Sequence, residues 1–206
     1  MKSKLKIIVL AFCAFFLAAN FYAQDNSDSS SEDENAPDIY DDIEYVYQQN
    51  APGDQFINIR IMPNFPLNFD NTLHIGGQIT VSYNRFLTSW LAVGAELAFG
   101  YNPTIGSNIF TYIPMTACVT FLPTIKKFEF PITVNAGVAV ENYLSNTYFP
   151  GLVLRAGAGA YYRINESWSA GIEGFFTYMP QWYFNDSSKN DYLNMASVSA
   201  GMKYHF

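Results

Sequence analysis

Seven titratable side chains share one parity within strand-like segments: Arg60, Arg155 and Lys203 against Glu96, Glu141 and Glu173, with His74 among them. Their neighbours on that parity are Gly, Ala, Ser, Thr and Asn, with few other charges. Three bases and three acids on such a face predict ion pairs, because buried charge is tolerated only when it is partnered. The same residues also fit a gate or a polar path. Glu141 and Arg155 stand symmetrically about Tyr148, so a hairpin centred there would pair them across two strands. Acid–base catalysis finds less support. The chain has two histidines, His74 and His205. A catalytic histidine needs a nucleophile within hydrogen-bond reach, and the sequence identifies no such partner. No metal cluster, phosphate loop or nucleic-acid patch is recognisable, so no catalytic, cofactor-binding or metal-ligating residue and no enzymatic activity are expected.

The elements that position these charges are eight short segments of strict two-residue alternation. In WLAVGAELAFGY, Leu91, Val93, Ala95, Leu97, Phe99 and Tyr101 oppose Ala92, Gly94, Glu96, Ala98 and Gly100. In LVLRAGAGAYYR, Leu152, Leu154, Ala156, Ala158, Ala160 and Tyr162 oppose Val153, Arg155, Gly157, Gly159, Tyr161 and Arg163. The first segment sets Ile57, Ile59 and Ile61 against Phe56, Asn58, Arg60 and Met62; the last runs from Met195 to Phe206. Pro114 interrupts the fourth and predicts a bulge or local distortion there. YNRFLTSWLAVGAELAFGYNP and YYRINESWSAGIEGFFTYMP also resemble each other, aligning Trp90 with Trp168 and, after one deletion, Glu96 with Glu173. That likeness supports a repeated hairpin.

Three regions follow. Residues 1–23 carry Lys2, Lys4 and Lys6 before an apolar run from Ile7 to Ala19, the pattern of a secretory signal peptide. Residues 24–52 form an acidic linker: Asp25 to Asn50 hold nine carboxylates and no Lys or Arg. Such composition predicts a solvated tether, and it lacks the fixed spacing and turn glycine of a calcium loop. Residues 53–206 hold the alternating segments. Removal of Cys13 with the signal leaves Cys118 alone, which excludes an intramolecular disulfide.

The small, weakly charged face does not read as a solvent face, since glycine weakens strands and exposed faces carry more charge. It suits the narrow interior of a small barrel, and the large apolar face then meets lipid. Tyr83, Trp90, Tyr101, Phe121, Tyr162, Trp168, Tyr178 and Tyr204 fall near segment ends, as interfacial girdles do. Closure satisfies every backbone group, which lipid demands. The predicted fold is all-β, an eight-stranded antiparallel up-and-down transmembrane β-barrel. The stretches NFPLNFDN, NPTIGSN, LSNTYFPG and MPQWYFNDSSKND are expected as external loops.

The C-terminal SAGMKYHF resembles the signal that ends the last strand of bacterial outer-membrane barrels, through Ser199, Gly201, Tyr204 and the terminal Phe206. With the signal peptide and eight segments, the chain resembles small barrels of the OmpX, OmpW and OmpA-barrel type. The resemblance implies location in the bacterial outer membrane, contact with its lipid and recognition by the barrel-assembly machinery, with no nucleic acid or cofactor. It covers the barrel and not the acidic linker. The expected function is a structural role or narrow passage of small solutes. The alternative is a surface interaction protein acting through external loops, with Trp182, Tyr183 and Phe184 as contacts. A soluble ligand-binding barrel of lipocalin type would need the apolar face inward, and no Gly-x-Trp opens the first strand.

Overall fold

A computed structural model describes residues 50–206, except Asp70, Asn71, Ser145, residues 183–187 and Lys189. The signal peptide expected over 1–23, most of the linker expected over 24–52, and Tyr183 and Phe184 lie outside the described residues.

Alternation of apolar and polar side chains builds the strands β1 (Gln55–Pro66), β2 (Gly76–Thr88), β3 (Leu91–Pro103) and β4 (Ile109–Phe121). Two short strands, β5 (Thr124–Ile125) and β6 (Phe128–Glu129), follow. The chain then continues through β7 (Ile132–Tyr143), β8 (Asn146–Arg163), β9 (Trp168–Gln181) and β10 (Asp191–His205). Neighbours pair antiparallel in the order β1-β2-β3-β4-β7-β8-β9-β10, and β10 returns to β1. The result is a closed eight-stranded barrel. The β5–β6 hairpin prolongs the β4–β7 turn and pairs Phe128 with Tyr162 and Glu129 with Tyr161 on β8. The ring closes to its last residue: Gln55 and Phe206 exchange both backbone hydrogen bonds at 3.0 Å.

The predicted faces hold in every strand. Outward residues at mid-strand are apolar and exposed: Ile61, Ile79, Phe99, Val119, Val134, Leu154, Ile172 and Val198, one from each barrel strand. Among the described strand residues, Arg85 is the sole charge of outward parity, and it lies at the rim beside Gln55. An exposed belt of this kind around a closed barrel is a lipid-facing surface. Girdle pairs form at the end where β1 begins and β10 finishes: Trp90 with Phe121 at 5.4 Å and Trp168 with Tyr204 at 4.9 Å between ring centroids.

Inward glycines make space for inward rings. A methyl group on Gly157 would lie 2.2 Å from the Phe175 ring, and one on Gly100 would lie 2.2 Å from Tyr112. This is why the inner face reads as small: each large inward side chain needs an absent one on the neighbouring strand.

Several expectations are corrected. Pro114 sits in an unbroken strand with no register shift to β3 or β7; the β3 ladder simply skips Ile113 and Pro114, where proline has no N–H to give. The irregularity lies instead across from Val140, where Phe149 and Pro150 both oppose one residue. LSNTYFPG is mostly strand, because β7 ends at Tyr143 and β8 begins at Asn146. Asn50, expected in the linker, is buried against the barrel and bonds Arg163 and Thr124.

Candidate functional site

The inward charges form one quartet at mid-barrel and a second cluster at the end where β1 begins and β10 finishes. In the quartet, Arg60 on β1 reaches in two directions, bonding Glu96 on β3 and Glu173 on β9, the latter at 2.8 Å. The strands β3 and β9 each stand two places from β1, on opposite sides. The repeated hairpin motif thus delivers its aligned glutamates to the two sides of one arginine. Arg155 completes the quartet at 2.6 Å from the other oxygen of Glu96. The Nε atoms of both arginines have no acceptor among the described residues, and both guanidinium groups lie over the Phe175 ring, Arg155 at 4.3 Å and Arg60 at 5.1 Å. Tyr161 donates to Glu173 at 3.3 Å and receives a bond from Asn58.

The second cluster centres on Glu129, which is fully buried. Lys203 donates to it at 2.9 Å, Ser169 donates at 2.9 Å, and the Arg163 Nε lies 3.2 Å away. Lys203 also sits 4.0 Å over the Tyr161 ring, which links the two clusters. Sequence reading placed neither Glu129 nor Arg163 in the network. KKFEF reads as turn, yet its F-E-F alternation carries the signal: Phe128 and Phe130 face out around an inward Glu129.

Ser169, His205 and Glu129 meet at hydrogen-bond distances, the constituents of a nucleophile, base and orienting acid. The arrangement cannot work as such. Arg163 Nη2 lies 2.7 Å from His205 Nδ1, and a guanidinium only donates. Nδ1 is therefore the acceptor, and the proton sits on Nε2, the atom facing Ser169 at 3.1 Å. A protonated Nε2 cannot take the serine proton, and Ser169 is wholly buried. The geometry leaves Ser169 without a general base.

Of the residues expected in the network, Arg60, Glu96, Arg155, Glu173 and Lys203 lie together in these two clusters. His74 does not join them: it precedes β2, is exposed, and offers its carbonyl to Asn102 at 2.8 Å. The parity carried it inward only on paper, because the strand starts two residues later. Glu141 is inward and buried but does not pair with Arg155. The hairpin is not centred on Tyr148: Tyr143 already pairs with Asn146, so Glu141 stands opposite Tyr148 while Arg155 stands opposite Asn135. Glu141 instead accepts from Gln181 at 2.7 Å. Ser199 and Gly201 of the C-terminal motif face inward; Tyr204 and Phe206 face outward with ring centroids 5.9 Å apart.

Space within the barrel is unequal. Around Arg60, Glu96, Glu173 and Lys203 the enclosed void is about 10 Å³, which holds at most a water molecule. At the opposite end, the loop end, a cavity of about 630 Å³ opens among the ends of β4, β7, β8, β9 and β10 and the connections from β1 to β2 and from β3 to β4.

A protein-family model matches residues 30–204. An uncharacterized protein of Treponema pallidum (strain Nichols) is 27% identical over 179 residues, 78% of this chain and 81% of that protein. A second uncharacterized protein of the same organism is 26% identical over 109 residues, 49% of this chain, and the matched part spans 37% of that longer protein. Among solved structures, the crystal structure of Neisserial surface protein A superposes with a TM-score of 0.60 at 10% identity, covering 76% of this chain and 98% of that one. The outer membrane protein OprG from Pseudomonas aeruginosa superposes with a TM-score of 0.50 at 13% identity, covering 76% and 97%. At such identities the likeness is one of fold. The chain belongs to the family whose model spans residues 30–204, and its described residues form a small eight-stranded β-barrel with the fold of bacterial outer-membrane barrels.

Proposed function

We propose that this protein is a structural, non-enzymatic barrel of the bacterial outer membrane, closed to solutes through its middle. One observation carries the reading: the mid-barrel pocket of about 10 Å³ is lined by Arg60, Glu96, Glu173 and Lys203, each ion-paired with an opposite charge. Among the described residues, the buried interior holds Arg60, Arg155, Arg163 and Lys203 against Glu96, Glu129, Glu141 and Glu173. A permeant solute would have to separate desolvated ion pairs, each held on several sides. Passage of small solutes is the reading this plug disfavours.

The end where β1 begins and β10 finishes faces the periplasm in this proposal, and the long connections from β1 to β2 and from β9 to β10 then lie on the outer side. The signal peptide directs export, and the C-terminal residues Ser199, Gly201, Tyr204 and Phe206 present the last strand to the barrel-assembly machinery. Separation of inner and outer membranes, with the protein run heated and unheated on a gel, tests location and folding together. Outer-membrane recovery with a heat-shifted band is expected. Swelling of liposomes carrying the folded protein in small sugars or amino acids tests closure. Swelling above protein-free liposomes would overturn the closed reading; a soluble protein without a heat shift would overturn the membrane one.

A further inference from the structure

The loop-end cavity is built differently from the plug below it. Glu141 lines it and is only 2% exposed. One carboxylate oxygen accepts from Gln181, while Oε1 has no hydrogen-bond partner among the described residues. The hydroxyl of Thr104, which also lines the cavity, is buried and equally unpartnered. A buried acceptor without a donor is costly to the fold, and here two such atoms belong to residues that line one open space. Four aromatic residues stand in the wall, Phe110, Tyr143, Tyr148 and Tyr192, among polar side chains such as Thr147 and Gln181. A second carboxylate, Asp191, stands in the lining, and no Lys or Arg lines the cavity among the described residues.

We propose that this cavity binds a small, water-soluble organic ammonium ion, held by Glu141 within the aromatic wall. The chemistry selects among ligand classes. An anion would meet two carboxylates and no compensating base. A purely apolar ligand would leave Glu141 Oε1 and the Thr104 hydroxyl desolvated and unpaired. A bare metal ion would find too few ligands, since no group of three His, Cys, Asp or Glu side chains able to hold a metal occurs among the described residues. An alkylammonium satisfies the carboxylate with its charge and the ring faces with its methyl groups. A hydroxyl on the same ligand can reach Thr104. At about 630 Å³ the cavity lies within the usual range for small-molecule sites. The site rests on the fold alone, and the closed interior below it is a separate proposal.

The test uses the full chain, folded in dodecyl maltoside so that no lipid headgroup competes. Choline is titrated calorimetrically beside 3,3-dimethyl-1-butanol, its neutral carbon isostere. Choline is expected to bind at least about tenfold more tightly, equivalent to ~1.4 kcal/mol. Glu141→Gln, verified as folded by its heat-shifted band, is expected to reduce choline affinity by at least about tenfold and to leave the isostere unchanged. Equal binding of the two probes overturns the proposal. So does a folded Glu141→Gln protein that binds choline like the parent chain, or a parent chain that binds no choline at tens of millimolar. The comparison of the two probes needs no variant, so a failure of Glu141→Gln to fold leaves the proposal open to refutation.

Discussion

Glu96 and Glu141 are chemically identical, both inward, both buried, and in opposite circumstances. Glu96 binds a guanidinium with each oxygen, inside a void that holds at most one water. Glu141 lines an open cavity, with one amide donor and a buried, orphaned oxygen. The difference lies in what the neighbouring strands supply. At mid-barrel, β1 and β8 bring arginines and β9 brings Phe175 under them; at the loop end, the facing positions are Met179, Tyr112 and Met195. A small barrel can therefore seal itself with paired charge over most of its length and still keep one unsatisfied acid where it opens. Under the two proposals, sealing and binding are separate jobs in separate layers.

The same substitution made in both layers gives the sharpest contrast. Glu96→Gln leaves Arg60 and Arg155 short of a counter-charge in a buried site. It is expected to destabilise the folded barrel by about 3–5 kcal/mol, read as a lower urea midpoint for loss of the folded gel band. Glu129→Gln strips Lys203 and Arg163 together and should cost a similar amount, about 3–5 kcal/mol. A smaller loss is expected where packing rather than charge is disturbed. Gly157→Val drives a side chain into the Phe175 ring and the Gly174 carbonyl, costing about 1–3 kcal/mol or more as the ring is pushed from beneath Arg155. Smallest is Glu141→Gln, which can keep a bond to Gln181 and removes a charge that has no partner. Its stability should stay within about 0.5 kcal/mol of the parent. If Glu96→Gln and Glu141→Gln proved equally harmful, the division into layers would be wrong.

Face assignment was legible from alternation alone, because a strand inverts side-chain direction at every residue and the two faces here differ in size and polarity. The pairing of Arg60 with two glutamates could not be read. It depends on which strands become neighbours after closure, although the aligned Glu96 and Glu173 hinted at equivalent positions. Pairing Glu141 with Arg155 failed for a local reason: a turn two residues long replaced the loop that LSNTYFPG suggested, and the bulge opposite Val140 shifted the register again. His74 failed because parity does not say where a strand begins. Glu129 was missed because a two-residue strand is too short to show alternation by itself. The loop-end cavity has no sequence signature, since its walls come from loops and strand ends far apart in the chain.

Single-channel recording in planar bilayers tests the sealed interior most directly. The folded parent protein, verified by its heat-shifted band, is predicted to give no conductance steps above the lipid baseline, even at high salt. Reproducible steps from the parent protein would show an ion path through the Arg60, Glu96, Arg155 and Glu173 layer, and would contradict the plug.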